Sequence, residues 1–361
     1  LYEQAKFQPI IGNLKDEGGQ PEWAKPYLIH KTKAGTKIAF LAYTFPYYIT
    51  YAPNGWQVLE PIARLEEDLS RPEVRATDLV TVLSHLGVRY DEQISETYPQ
   101  VNLVIGSHTH HLFEEGKLIN ETYLAAADRY GYYLGCIDLT VENGQLIACQ
   151  TEAIPTKSYI LDLDKEDEAF IKAMREEGHR RLAQEKVANL GRKLDFDETC
   201  QLVLQAVCQE TDSQLTLLNT GLIMKTLGPQ VTMADLQEAL PHQMRMVRLV
   251  VTGKELKEIC REVFTKAELL KNQAIKGMGF RGKVFGELIT GNFAYKNGNL
   301  LYNSRVVDSN EKFSLVLVDQ YYFASYFPTI KEKEVTLLFP DLLRELVAKY
   351  LRKNGADWDK R

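Results

Sequence analysis

Three of the seven histidines in this chain stand where apolar, strand-forming runs come to an end. Val101–His111 reads VNLVIGSHTHH, in which the run stops at Gly106 and delivers His108 and His110 two positions apart. In extended backbone residues i and i+2 point to the same side, and neutral imidazole is the commonest protein ligand for zinc-like ions. Leu79-Val80-Thr81-Val82-Leu83 is another such run, broken by Ser84-His85-Leu86-Gly87. A lone histidine after a strand is ordinarily a loop residue. His85, His108 and His110 at the ends of two neighbouring runs point instead to metal. His111 would face away from His110 in extended backbone and reads as a solvated or outer neighbour.

To bring these side chains together, the two runs must lie side by side. The residues between them read as a helix over roughly Asp91 to Tyr98, so the unit is strand, helix, strand. Such a crossover places its strands parallel in one sheet. Open α/β sheets carry ligands at the carboxyl ends of their strands, where all three histidines would lie.

Leu83-Ser84-His85-Leu86-Gly87 with Asp91, and Ile105-Gly106-Ser107-His108-Thr109-His110, resemble motifs of the calcineurin-like metallophosphoesterases. The stretch from Gly106 to His110 is similar to that family's Gly-(Gly/Ser/Ala)-His-Thr-His. Within the family the chain is similar to the 5′-nucleotidase group, which includes UDP-sugar hydrolases and 2′,3′-cyclic phosphodiesterases. The resemblance implies two divalent metal ions (Zn, Mn, Mg, Ca or Co), with His85 and His108 on one and His110 on the other. Such a pair holds a phosphate ester and activates a hydroxide for in-line attack.

The family's other ligands come from an Asp-x-His, a Gly-Asp and a Gly-Asn-His-(Asp/Glu), and none of these motifs occurs here. Pro9-Ile10-Ile11-Gly12-Asn13-Leu14 resembles the strand that follows the third of them. By this resemblance the N-terminal part of the catalytic domain is missing, the chain is a fragment, and the catalytic residues lie upstream. A shortened, catalytically dead homologue is the alternative, although it would leave strands without neighbours.

The chain has 361 residues, 45% hydrophobic and 25% charged, which suits a globular protein of two domains. No apolar run approaches the roughly 18–20 residues that span a bilayer. A net charge of −6 argues against a nucleic-acid partner, which favours a concentrated basic face. The expected partner is a small-molecule phosphate ester or nucleotide. Cys136, Cys149, Cys200, Cys208 and Cys260 form no CxxC pair and fit a reducing, cytoplasmic setting. A signal peptide in an upstream segment would make the protein secreted or surface-bound instead.

Residues 37–44 read as a strand and the tyrosine-rich stretch from Pro46 to Pro53 as a loop. Residues 136–141 and 145–151 alternate across Glu142-Asn143-Gly144, a hairpin signal that closes the first domain near residue 155. Asp164 can cap a helix from about Lys165 to Asn189, with Gly191 as its stop and Phe170, Ile171 and Met174 on an apolar edge. The expected organisation is a metallophosphoesterase domain over 1–155, N-terminally incomplete, a linker helix within 156–194 and a substrate-recognition domain over 195–361. In fold class this is α/β: the C-terminal part of an αββα sandwich followed by an α+β 5′-nucleotidase C-terminal domain.

That last assignment rests on a further resemblance. Leu217-Leu218-Asn219-Thr220-Gly221-Leu222-Ile223 is similar to the group's Asn-x-Gly-x-Ile-Arg, Thr232–Pro241 to its helix ending in Leu-Pro, and Val247–Glu258 to a strand, Thr-Gly turn and helix. Met224 replaces the arginine, His242 replaces a phenylalanine, and no Gly-Gly-Asp-Gly loop is found around Val318–Phe327. The substrate-binding candidates are Asn219, Gly221, Arg245, Arg248, Tyr321 and Phe327. The two aromatics could clamp a base, although aromatics in a domain of this size are more often core.

Three functions follow. The first is a divalent-metal phosphoesterase acting on nucleotides or nucleotide-sugars, inactive as this chain alone. The second is a non-catalytic homologue that binds a nucleotide or phosphate ligand. The third is an unrelated single-metal hydrolase, whose carboxylate ligand would have to come from Asp78, Asp91 or Asp128.

Overall fold

Leu41, Val82, Val104 and Leu124 form one row across four neighbouring parallel strands, and all four are fully buried. Burial on both faces of a parallel sheet is why these segments read as almost unbroken apolar runs. The computed structural model describes residues 2, 4–158, 165–275, 280–324 and 326–355. It divides into two units, Leu1–Asp164 and Lys165–Arg361.

The first unit is built on β1 (Tyr27–Lys31), β2 (Lys37–Thr44), β3 (Leu79–His85), β4 (Leu103–Gly106), β5 (Lys117–Ile119) and β6 (Thr122–Ala125). They stand in the order β1-β2-β3-β4-β6-β5. The four central strands are parallel and both edges antiparallel. Helix α1 (Pro61–Ser70) precedes β3, and α2 (Val88–Thr97) joins β3 to β4. Leu65 from α1 and Ile94 from α2 are buried in the core that these strands share.

The register places Thr44 opposite His85 and Ser84 opposite Gly106, so three strand ends coincide. Asn13 fastens the first of them, since its amide donates to the Thr44 carbonyl at 2.8 Å and accepts from the Thr44 N–H at 2.9 Å. Pro46–Pro53 is not simply a loop, because Tyr48–Tyr51 forms a helical turn that continues into a 3-10 turn at Ala52–Asn54. Strands β7 (Tyr133–Glu142) and β8 (Gln145–Pro155) make the expected hairpin, longer at both ends. Asn143 and Gly144 both have positive φ, the Asn-Gly turn whose twist matches antiparallel strands.

In the second unit the first helix, α3, spans only Lys165–Gln184. Residues expected to extend it form β9 (Lys186–Asn189), because pairing with β11 (Gln230–Thr232) and burial of Val187 outweigh the helical pattern. Phe170, Ile171 and Met174 are exposed rather than packed as an apolar edge. The cap proposed at Asp164 lies outside the described residues.

The core of this unit is a five-stranded sheet with β10 (Leu215–Asn219) and β12 (Met246–Thr252) among its strands. It is completed by β13 (Leu288–Gly291), β14 (Lys312–Val318) and β15 (Thr336–Leu338), in the order β13-β10-β14-β12-β15. Helices over Phe196–Glu210, Gly253–Lys271 and Leu343–Asn354 accompany the sheet. The Thr-Gly turn is a capping box: Thr252 Oγ accepts from the Glu255 N–H, and Glu255 accepts from the Thr252 N–H. Among the described residues, no helix is long and apolar enough to cross a membrane.

Candidate metal centre

His85 ends β3, and His108 follows β4 by two residues, so register alone brings them to the same end of the sheet. Their rings meet at 4.9 Å between centroids, and His85 Nε2 faces His108 Nδ1 at 3.3 Å. Two nitrogens each about 2.0–2.1 Å from one tetrahedral zinc-like ion would stand about 3.3–3.4 Å apart. The pair therefore fits a shared ion.

The turn that presents His108 is not extended. His108 and His110 both have left-handed backbone, with φ of 69° and 55°. The same-side argument from i and i+2 therefore does not apply, and the turn itself decides where the rings go. Its geometry is held by Ser107 Oγ, which accepts from the His108 N–H at 2.7 Å, and by Thr109, whose hydroxyl accepts from the Val88 N–H at 3.0 Å. A side chain on Gly87 would meet Thr109 and His108, so glycine lets the two turns approach.

Burial and then the neighbouring imidazoles hold His108 below the ordinary imidazole value, and burial followed by His110 does the same for His85. Both are thus neutral at pH 7, the form that ligates. His110 lies near enough to act on both rings electrostatically and is exposed. His111 Nδ1 lies 2.9 Å from the Thr109 hydroxyl, and its ring stacks on Phe113 at 6.2 Å between centroids.

The carboxylates considered as ligands lie elsewhere. Asp78 precedes β3 at the opposite end of that strand and accepts from the Lys37 N–H at 2.7 Å. Asp91 is buried beneath the turns, bonded to the Ser84 hydroxyl. Asp128 is tied to His111 through the backbone, its N–H donating to the His111 carbonyl at 2.9 Å. Among the described residues, no three histidine, cysteine, aspartate or glutamate side chains gather as a metal site.

Two neighbours were not visible in the sequence. Phe45 stacks on His108 at 5.0 Å between centroids, and the Tyr47 hydroxyl lies 3.3 Å from His108 Nε2. Only the pairing of Thr44 with His85 reveals that this segment arrives there.

In the second unit the fold uses up most of the substrate candidates. Asn219 is buried, with its amide donating to the Phe285 carbonyl and its oxygen accepting from the Tyr321 hydroxyl at 2.7 Å. Gly221 lies against the same segment, where a β-carbon would stand 2.2 Å from the Val284 carbonyl oxygen. Tyr321 and Phe327 are fully buried and pack edge to face at 5.2 Å, which makes them core rather than a clamp for a base. Arg248 is half-buried and donates to the Thr211 carbonyl, and the Arg245 guanidinium covers the Phe339 ring at 5.0 Å. His242 takes a buried place stacked on Phe280, its Nδ1 accepting from the Arg281 N–H at 2.9 Å, and burial pushes its pKa down to about 4. Met224, by contrast, is 43% exposed.

A parallel α/β sheet with paired histidines at its strand ends, followed by a second α+β unit, is the architecture of a metallophosphoesterase with a C-terminal domain. The chain is 32% identical to the uncharacterized metallophosphoesterase YunD of Bacillus subtilis (strain 168), over 96% of this chain and 79% of that protein. It belongs to the metallophosphoesterase family. No family model matches it. Its fold is that of 5′-nucleotidases. A candidate 5′-nucleotidase from Staphylococcus aureus, solved with alpha-ketoglutarate, matches with a TM-score of 0.61 at 13% identity, covering 97% of this chain and 76% of that one. The NAD nucleotidase of Haemophilus influenzae matches at 0.56 and 13%, covering 97% and 77%.

Proposed function

We propose that this chain is part of a divalent-metal-dependent phosphoesterase acting on nucleotides or nucleotide-sugars. The observation that carries the reading is the pair of imidazole nitrogens 3.3 Å apart at adjacent strand ends. His85 Nε2 and His108 Nδ1 would hold one ion, and His110 would contribute to a second. When bound, such ions polarise a phosphate ester and supply a nucleophile at neutral pH. The names of the related proteins, a metallophosphoesterase and two nucleotidases, support phosphate esters and nucleotides as the substrate class. The remaining ligands then come from outside the described residues, and the 361-residue chain by itself turns over nothing.

The alternative reading, a homologue that binds a nucleotide or phosphate ligand without chemistry, draws on the lack of a third ligand beside the pair among the described residues. One experiment separates the two. Titration of the chain with Zn²⁺ or Mn²⁺ should show weak binding that is lost in His85→Ala and His108→Ala. Nucleotide binding that is indifferent to metal and to both substitutions would favour the non-catalytic reading.

A further inference from the structure

Each facing imidazole has its other nitrogen beside a hydroxyl. His85 Nδ1 lies 2.9 Å from Ser107 Oγ, and His108 Nε2 lies 3.3 Å from the Tyr47 hydroxyl. From this pairing, and resting on the metal-phosphoesterase reading above, we infer that Ser107 and Tyr47 are positioning residues: Ser107 holds His85 as its Nδ1–H tautomer, and Tyr47, whose hydroxyl can donate or accept, follows His108 from Nδ1–H without metal to Nε2–H with it. His85 is thereby set to ligate through Nε2 and His108 through Nδ1.

The proton accounting follows from donor and acceptor inventories. A serine hydroxyl offers two acceptor positions and one proton. Ser107 Oγ accepts the His108 backbone N–H at 2.7 Å and has a second acceptor position, which ligation through His85 Nε2 would fill with His85 Nδ1–H. With the proton on Nδ1, the lone pair of His85 Nε2 faces His108. Two lone pairs cannot face each other at 3.3 Å without a proton or a cation between them. If Ser107 holds His85 in this tautomer without metal as well, His108 carries its proton on Nδ1 and donates to His85 Nε2, while the Tyr47 O–H donates to His108 Nε2.

To ligate, His108 must give up the Nδ1 proton and carry one on Nε2 instead. The Tyr47 oxygen then accepts that proton's hydrogen bond and turns its own hydroxyl hydrogen to solvent, which its 40% exposure permits. One proton leaves His108 Nδ1 and one arrives at Nε2, so the ring remains neutral. Ser107 and His85 keep the same arrangement in both states. Hydroxyl and carboxylate partners of this kind fix ring orientation at metal sites, and removing one typically weakens binding by about 10–100-fold.

The test uses the full chain labelled with ¹⁵N in histidine, with signals assigned by single substitutions. Without metal, His85 and His108 should both carry the proton on Nδ1. On adding Zn²⁺, His85 should keep that proton and His108 should move it to Nε2. Ser107→Ala should release His85 to a mixture dominated by the Nε2–H form and weaken Zn²⁺ binding by about 10–100-fold, and Ser107→Thr should restore both. Tyr47→Phe should leave His85 unchanged and weaken binding through His108 alone. An Nε2–H His85 in the metal-free parent, or an unchanged His85 tautomer in folded Ser107→Ala, overturns the inference. If the tautomers are as stated but Zn²⁺ does not bind, the metal reading falls while the hydroxyl assignment stands.

Discussion

The Asp91 carboxylate lies against Gly106, so close that a β-carbon there would stand 2.5 Å from Asp91 Oδ2. Its other oxygen accepts from the Ser84 hydroxyl, so one buried acid braces the turns that carry His85 and His108. Burial raises its pKa from 3.8 to about 6. A raised carboxyl favours folding only while protonated: between about pH 4 and 6 the unfolded chain releases this proton before the folded one does. Stability from this group is complete below that window and is lost as pH rises through it, by roughly 3 kcal/mol at most. Asp91→Asn keeps an acceptor for Ser84 without the charge. Urea unfolding should find it more stable than the parent at pH 7.5, by up to about 3 kcal/mol, and no more stable at pH 4. An equal difference at both pH values would remove ionisation as the cause.

On the proposed metal-phosphoesterase reading, His85→Ala, His108→Ala and His110→Ala should each lower the phosphatase activity of the active enzyme by at least about a hundredfold, since a metal supplies several kcal/mol of transition-state stabilisation. The first two should abolish binding of one ion and the third should weaken the other. Both His85 and His108 sit below the ordinary imidazole value of 6.5. Metal affinity should therefore be lost at lower pH than the titration of ordinary imidazoles would dictate. Near-normal turnover of any variant at limiting Mn²⁺ would remove that histidine from the ligand set.

The sequence showed the strands under His85 and His108 because parallel strands buried on both faces leave unbroken apolar runs. It did not show Tyr47, because that residue reaches His108 through the pairing of Thr44 with His85, a register that no local pattern encodes. Nor could it separate core from substrate contact at Asn219, Tyr321 and Phe327. The same residue types serve both purposes, and the choice depends on a carbonyl at Phe285, far along the chain. The extended-backbone argument for His108 and His110 failed for a related reason. A turn held by Ser107 and Thr109 replaces strand geometry after Gly106.

Tyr321→Phe tests the reassignment of that residue to the core. It leaves the Asn219 oxygen without the 2.7 Å hydroxyl partner in a fully buried place, which should cost about 1–3 kcal/mol of stability. Nucleotide affinity at a temperature where both proteins are folded should be unchanged. A tenfold loss of affinity with normal stability would return Tyr321 to the binding site.

Met224→Arg asks whether the second unit retains a nucleotide site. The position is set by the fold, since the Met224 N–H donates to the Ala239 carbonyl at 2.8 Å, while the side chain is 43% exposed and has room for a longer group. Methionine cannot donate to phosphate or ribose, whereas a guanidinium offers five donors. One charged hydrogen bond contributes about 1.5–3 kcal/mol, so nucleoside monophosphates should bind roughly 10–100-fold more tightly to the variant. Glu238 is the competitor, but it is already paired with Lys225 at 2.5 Å. Calorimetry with AMP, UMP and adenosine reads the result, and Met224→Gln controls for size. A gain for the monophosphates but not for adenosine places the new contact at phosphate, and an equal gain for adenosine places it at the ribose. Unchanged binding of all three would show that position 224 does not face the ligand, and that the resemblance to Asn-x-Gly-x-Ile-Arg extends to the backbone only.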